Sequence, residues 1–273
     1  MKKITIFGCG NMGRAFAEGV LNGSVVRKEE LALIERREER AAVLRRDLEC
    51  ECWVGAAEAP LTQFLIIAIK PQDLARAAPS IQSLIGDNTI VISILAGVSS
   101  AVLRQTLATE RPIVRAMPNL PATIGSGMTA YAIMGECSSL ERENICAIFK
   151  AVGEALEVRD EKLLNAVTAV SGSGPAYIYY YIQAWRNAAL DLGFNEAEAN
   201  VLIAQTIKGA TELWEESGYH ADTLRQRVTS KGGTTEAAQK VLDEAQSGVV
   251  LRRAINRAAQ RAIELEQLVK EAL

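Results

Sequence analysis

From residue 3 to about residue 135 the chain alternates short unbroken apolar runs with segments of helical periodicity. The runs are Ile4-Thr5-Ile6-Phe7, Leu31-Ala32-Leu33-Ile34, Phe64-Leu65-Ile66-Ile67-Ala68-Ile69 and Thr89-Ile90-Val91-Ile92-Ser93-Ile94. Strands apolar at successive positions, rather than alternate ones, suit a parallel sheet covered on both faces. The first half therefore reads as doubly wound α/β. Two more strands are predicted over Pro112 to Ala116 and Met128 to Ile133, then a helix over Leu140 to Val152 and a short strand over Ala155 to Val158.

After Glu161 the alternation stops. Helices are predicted over Tyr177 to Leu192, Glu196 to Glu216, Thr234 to Ala245 and Val249 to Val269, with Gly193, Gly218 and Gly248 at the breaks. The pattern divides the chain into an α/β domain, residues 1–160, and an all-helical domain, residues 161–273. The helices carry Ala and Leu on more than one face, as at Ala188-Ala189-Leu190 and at Ala254, Ile255, Ala258, Ala259 and Ala262. A helix apolar beyond one stripe needs cover from a neighbour or another subunit, which predicts a homodimer built mainly from this half. No internal repeat, low-complexity segment or Pro-rich linker is visible.

Composition narrows the class. The chain has 273 residues, 49% hydrophobic and 23% charged, the mix of a globular protein with a sizeable core. Lys plus Arg number 30 against 33 Asp plus Glu, a net charge of −3, with no basic block interleaved with aromatics, so nucleic acid is not an expected partner. Gly8, Gly10 and Asn11 interrupt the N-terminal apolar run before it reaches the length of a signal sequence, and no stretch has the length of a membrane span. A cytoplasmic protein is expected. The five cysteines show no Cys-x-x-Cys spacing, and His220 is the single histidine, so neither a disulfide framework nor a metal site is expected, and a catalytic triad would have to use His220.

Ile6-Phe7-Gly8-Cys9-Gly10-Asn11-Met12-Gly13-Arg14-Ala15 places G-x-G-x-x-G at the end of the first strand and the start of the first helix. Gly8 would make the turn, Gly10 would admit a pyrophosphate to the backbone, and Gly13 would allow helix and strand to pack closely. The helix start, with Asn11 and Met12, offers amides and a positive dipole end to phosphates. A tight turn alone would also explain the glycines. At the end of the second strand stands Ile34-Glu35-Arg36-Arg37. Glu35 is the kind of residue that takes ribose hydroxyls in NAD enzymes, and Arg36 the kind that takes the extra phosphate of NADP. The basic pair tilts the expectation to NADPH, with NADH usable. Ala68-Ile69-Lys70-Pro71-Gln72 and Leu95-Ala96-Gly97 follow later strands, and Ala68, Lys70, Pro71, Ala96 and Gly97 are expected to line the cofactor's far half.

Two stretches remain. Ser171-Gly172-Ser173-Gly174-Pro175-Ala176-Tyr177 opens a helix with a segment almost free of side chains, either a hinge or, at Gly174 and Pro175, a close approach to substrate. Val228-Thr229-Ser230-Lys231-Gly232-Gly233-Thr234-Thr235-Glu236 sets four hydroxyls and two glycines at a helix start. Such a terminus binds an anion, most economically a substrate carboxylate, while nearby hydroxyls reach a second group on the same molecule. Reduction of a ketone needs a strong acid, commonly His or a Tyr-Lys pair, and the chain has one His and no Tyr-x-x-x-Lys. An imine is basic enough to need only a placed hydroxyl, so imine reduction is favoured.

The stretches Phe7 to Gly13, Ala68 to Gln72, Val114-Arg115-Ala116-Met117-Pro118-Asn119-Leu120-Pro121, Ser171 to Tyr177 and Val228 to Thr235 occur in the order found in pyrroline-5-carboxylate reductases, and the chain resembles that family over essentially its whole length. The resemblance implies a Rossmann-type α/β domain followed by an all-α dimerisation domain. It implies NAD(P)H-dependent reduction of the C=N bond of 1-pyrroline-5-carboxylate to L-proline, the last step of proline biosynthesis. It also implies that Thr235 is the polar partner of the ring nitrogen and that Ser230, Gly233 and Thr234 belong to the carboxylate cradle. Family members build each site with helices of both subunits and often assemble dimers into a larger ring. This chain departs from the usual pattern at Glu35, where a neutral residue is more common, and at Lys231, where Pro is frequent. A β-hydroxyacid dehydrogenase relative would need a Lys in the helix after the glycine-rich start, and residues 174 to 192 contain none. A nucleotide-binding sensor without catalysis would have little use for Gly232 to Thr235.

Overall fold

The structure is a computed structural model that describes residues 1–272. Its centre is an eight-stranded sheet. The strands are β1 (Lys2–Phe7), β2 (Leu31–Glu35), β3 (Glu51–Val54), β4 (Thr62–Ile67), β5 (Ile90–Ser93), β6 (Ile113–Met117), β7 (Gly127–Met134) and β8 (Gly153–Glu157). In space they run β3-β2-β1-β4-β5-β6-β7-β8. β1 to β6 are parallel, β7 lies antiparallel to β6, and β8 is parallel to β7. The reversal at β7 follows from its connection: Pro118 to Ser126 is shorter than the roughly dozen residues a parallel crossover needs.

Helices α1 (Asn11–Asn22), α2 (Glu38–Leu48), α3 (Leu74–Gln82), α4 (Ser100–Leu107) and α5 (Ser139–Lys150) cover the sheet. The unbroken apolar runs divide by parity between its two faces. Ile4, Ile6, Leu31, Leu33, Phe64, Ile66, Ile90 and Ile92 pack one core with Phe16 of α1 and Phe149 of α5. Leu65, Ile67, Val91 and Ile113 pack the other with Leu74 and Ile81 of α3 and Leu103 of α4. Phe149 meets Phe16 edge-on at 6.1 Å and Tyr131 at 4.7 Å between ring centres. The strand β3, which the apolar pattern does not reveal, adds only Cys52 as a buried residue to the sheet's edge. Burial pushes the Cys50 and Cys52 thiols up to about 11.

The remaining elements are helical: α6 (Leu163–Val167), a π turn at Thr168–Gly172, α7 (Gly174–Asp191), α8 (Glu196–Ser217), α9 (Ala221–Arg227), α10 (Thr234–Glu244) and α11 (Ser247–Ala272). The helix α9 is too short for its periodicity to show in sequence. The start of α8 is fixed by a reciprocal cap, in which Glu198 N–H donates to the Asn195 side chain and Asn195 N–H to the Glu198 carboxylate.

By compactness the chain forms two units: Met1–Pro175 together with the chain from Ala258 onward, and Ala176–Arg257. The end of α11 joins the first unit for identifiable reasons. Val269 packs on the second core, and Asn165 donates to the Glu266 carboxylate at 2.6 Å. Glu266 also lies 3.9 Å from Arg115, a guanidinium buried on β6. The principal partner of Arg115 is Glu161, at 3.0 Å, whose carboxylate also accepts from the Ser100 amide at 3.1 Å and hydroxyl at 2.8 Å. The Ala176–Arg257 unit is different in character. Ala189, Ala199 and Ile203 are its buried apolar residues, while Tyr180 is 71% exposed and Val201 70%. No helix among the described residues is long and apolar enough to cross a membrane.

Burial alone would raise the Glu161 carboxyl, but the hydrogen bonds from Arg115 and Ser100 outweigh it and hold it below its ordinary value of 4.5. A carboxyl lowered on folding stabilises the fold above its unfolded value and loses that contribution as pH falls through the folded value. Glu161→Gln should therefore cost about 1–2 kcal/mol at pH 7, a figure reduced for the water that reaches Glu161. The gap in Tm between wild type and variant should narrow once the pH is taken below 4.5. Thermal unfolding at neutral and acid pH checks this, and a pH-independent gap would contradict it.

Candidate functional site

In the sheet order the chain leaves β1 in one direction for β2 and β3, then returns to β4 on the other side. Open α/β sheets bind ligands at this reversal, outside the carboxyl ends of the strands. The structure has a cleft of roughly 550 Å³ there, lined by Gly8, Cys9 and Gly10 after β1, Glu35 and Arg36 after β2, Val54 and Gly55 after β3, and Ala68 and Lys70 after β4. The strands hold these turns in register: Gly8 N–H donates to Ile34 C=O at 2.9 Å and Ala68 N–H to Phe7 C=O at 2.8 Å.

The glycine loop is shaped by contact on one side and by space on the other. A Cβ at Gly13 would stand 2.0 Å from the Gly8 carbonyl oxygen, so α1 meets the end of β1 at a distance that only glycine allows. A Cβ at Gly10 would meet nothing within 4 Å. Gly10 caps α1 without a side chain, and the helix begins at Asn11, its positive end toward that open space. The Met12 side chain packs on the core, leaving its backbone for any ligand. Cys9 is inert: its buried thiol points at the Ile6 and Ile34 carbonyls, and burial pushes its pKa up.

Charge in the cleft is sorted by pairing. Arg36, Arg40, Lys70 and Arg76 face Glu35 and Asp73. Arg76 pairs with Asp73, and Arg40 with Glu35. Arg36 and Lys70 are exposed and have no ion pair among the described residues, so the lining keeps a cationic excess. The space beside Gly10 and this excess fit a dinucleotide diphosphate. Of the other residues expected along the cofactor, Pro71 starts the turn after Lys70. Ala96 and Gly97 follow β5, where the α11 backbone at Leu265 and Glu266 approaches Gly97, and they do not line this cleft. Arg40, Val54 and Gly55 are cleft residues that the motif reading missed. The last two arrive on the unrevealed β3, and Arg40 is one of many charges on α2.

At the glycine-rich start of α7, Asn119 holds the approach. Its side-chain amide donates to the Ser171 carbonyl and hydroxyl, both at 3.3 Å, and its carbonyl accepts from the Met128 amide at 2.9 Å. Gly174 and Pro175 then begin the helix, with open space at Gly174. Asn119 belongs to the Met117-Pro118-Asn119 motif, and its role was not legible from spacing.

In the second unit the loop before α10 turns at Gly232, whose φ is +73°. Gly232 N–H donates to the Glu236 carboxylate at 2.6 Å, Gly233 N–H to Ser230 C=O at 3.0 Å, and Gly233 caps α10 without a side chain. Of the four hydroxyls here, that of Thr229 is spent within the fold. It donates to Arg225 C=O at 2.6 Å and accepts from Gln239 at 2.7 Å. Those of Ser230, Thr234 and Thr235 have no partner among the described residues. Three unpartnered hydroxyls thus flank one helix start capped by glycine, chemistry suited to a carboxylate and one further polar atom.

Comparison with known proteins agrees in kind with this geometry. A family profile described as pyrroline-5-carboxylate reductase dimerisation matches residues 161–265, and one described as NADP oxidoreductase, coenzyme F420-dependent, matches residues 3–97. The chain is 34% identical to pyrroline-5-carboxylate reductase 2 of Bacillus subtilis over 98% of this chain and 96% of that one. It is also 34% identical to the Escherichia coli enzyme over 89% and 90%. Among solved structures, a pyrroline-5-carboxylate reductase from Coxiella burnetii superposes with TM-score 0.89 at 29% identity, covering 97% of this chain and 98% of that one. The Plasmodium falciparum pyrroline carboxylate reductase, solved with NADP bound, superposes with TM-score 0.86 at 26% identity over 97% and 98%.

The two glycines should separate binding from folding. Gly10→Val, whose side chain enters open space, should fold with an unchanged Tm and lose measurable dinucleotide binding in calorimetric titration. Gly13→Val, driven against the Gly8 carbonyl, should fail to fold stably. Retained affinity in the first variant would remove Gly10 from the site.

Proposed function

The chain belongs to the pyrroline-5-carboxylate reductase family, and we propose that it reduces the C=N bond of 1-pyrroline-5-carboxylate to L-proline with NADPH as its preferred reductant, closing proline biosynthesis. The observation that carries the substrate half of this reading is the set of free hydroxyls at the uncapped start of α10. An amino-acid precursor that is both a carboxylate and a cyclic imine presents the two groups this loop can hold.

When bound, the reduced nicotinamide supplies the hydride. Gly8, Gly10 and the start of α1 at Asn11, Met12 and Gly13 hold the diphosphate. Arg36 meets the phosphate that distinguishes NADPH from NADH, and Lys70 and Pro71 border the far half. The backbone at Gly232, Gly233 and Thr234, with the Ser230 hydroxyl, fixes the carboxylate, and Gly174 and Pro175 offer a ligand bare backbone at the start of α7. Thr235 faces the ring nitrogen. Its hydroxyl donates to a neutral imine and accepts from a protonated one, so it keeps hold of the nitrogen while that atom's charge changes. No strong acid is needed because the nitrogen itself carries the proton.

The proposal divides the chain into a nucleotide-binding part, residues 1–160, and a dimerisation and substrate-binding part, residues 161–273. It covers the exposed apolar residues of α7 and α8 with a second copy, makes the protein a homodimer that assembles further as a ring of dimers, and places it in the cytoplasm, where its five free thiols stay reduced.

Oxidation of NADPH and NADH followed at 340 nm with 1-pyrroline-5-carboxylate is the direct test, with NADPH the faster. Thr235→Val should lower kcat/KM by roughly tenfold to a thousandfold with little change in Tm, and an unaltered rate would move the role to Ser230 or a water. Light scattering should give a mass at least twice the 29.5 kDa of the chain.

A further inference from the structure

The end of β2 poses a contradiction. Glu35 stands 22 residues beyond Gly13, at the place where an acidic side chain accepts the ribose hydroxyls of NAD and would repel the phosphate of NADP. Arg36, beside it, suits the opposite cofactor.

The side chains resolve it. The Glu35 side chain is only 10% exposed, and its two oxygens face different partners, one through a hydrogen bond and one through an ion pair. Oε1 accepts from the Arg36 backbone amide at 2.8 Å, and Oε2 lies 3.8 Å from Arg40 Nε. Arg40 is itself fixed from the opposite side, since its Nη2 donates to the Cys9 carbonyl of the glycine loop at 2.8 Å. One guanidinium therefore spans from the acid after β2 to the loop after β1, across the floor of the cleft.

We propose that Arg40 sets the nucleotide preference of this protein by offsetting the charge of Glu35, so that a chain carrying the acidic residue of an NAD site presents a cationic NADP site. The proposal rests on reading this cleft as the nucleotide site. With Glu35 engaged, Arg36 is the unpaired charge at the strand end, and a 2′-phosphate meets a cation. Without Arg40, Glu35 carries its charge with no cation from α2 to offset it. It then repels the phosphate and becomes an acceptor for the ribose hydroxyls, so the two nucleotides respond in opposite directions. A guanidinium that merely braced the glycine loop would affect both alike.

The test is calorimetric titration of the full-length protein with NADPH and with NADH, alongside Tm. In Arg40→Met, Kd for NADPH should rise and Kd for NADH should fall, moving their ratio by roughly tenfold or more. Glu35→Gln added to Arg40→Met should restore much of the NADPH affinity, because the unmasked charge is then gone. Arg40→Lys, which keeps the charge, should stay on the NADPH side. Equal weakening of both nucleotides in Arg40→Met, or no recovery in the double variant, would overturn the proposal and leave Arg40 a brace. Wild-type protein that binds neither nucleotide would instead overturn the reading of the cleft, and this proposal with it.

Discussion

The contact between Gly13 and the Gly8 carbonyl is the constraint on which the nucleotide half of the molecule depends. It seats the start of α1 at the end of β1 with no room for a side chain between them. Because β1 lies where the strand order reverses, this seating opens the cleft on the side where β2 and β4 diverge. The neighbouring turns then fall into place. Ala68 hydrogen-bonds to Phe7, Gly8 to Ile34, and Arg40 reaches the Cys9 carbonyl. A methyl group at Gly13 would push on the Gly8 carbonyl, one residue before the Cys9 carbonyl that Arg40 holds.

The sheet was legible because its strands are buried on both faces, which writes them as continuous apolar runs with ends marked by glycine or proline. Where burial is partial the signal fades. The edge strand β3 buries one residue of four, and its arrival beside β2, with Val54 and Gly55 at the cleft, could not be read from Glu51-Cys52-Trp53-Val54. The glycine loop and the hydroxyl-rich loop were legible as motifs because backbone requirements leave few residue choices. The state of Glu35 was not, because a charge pair between residues five apart depends on where α2 starts and how Arg40 folds back. The same holds for Arg115, whose partners Glu161 and Glu266 come from distant parts of the chain and become neighbours only in the fold.

Sequence also announced the surplus apolar surface of the helical half without saying where it would lie. In the Ala176–Arg257 unit, many aromatic and branched side chains on α7 and α8 stand open, while Ala189, Ala199 and Ile203 are buried. A unit built this way has too little interior of its own, and its stability is tied to whatever covers those faces. For a dimerisation region that is the expected economy: surface withheld from the monomer's core is the surface that makes association favourable.

The two candidate loops express one chemical logic. Each begins a helix whose cap is a glycine, and neither helix start is satisfied by a side chain of its own. An ordinary Ser or Asp cap in place of glycine would stabilise either helix by only about a few tenths of a kcal/mol, and it would fill the space that glycine leaves open at the helix start. A bare cap therefore costs each helix little and leaves its first amides open, as the proposed phosphate and carboxylate sites require. The hydroxyls sort in the same way. Thr229, the hydroxyl that could satisfy the fold, does so, while Ser230, Thr234 and Thr235 remain available to a ligand. Reduction of an imine asks for little more than position, since the reductant brings the electrons and the nitrogen brings its own affinity for a proton. A chain with one histidine and no Tyr-x-x-x-Lys pair is therefore chemically sufficient for it, without a strong side-chain acid.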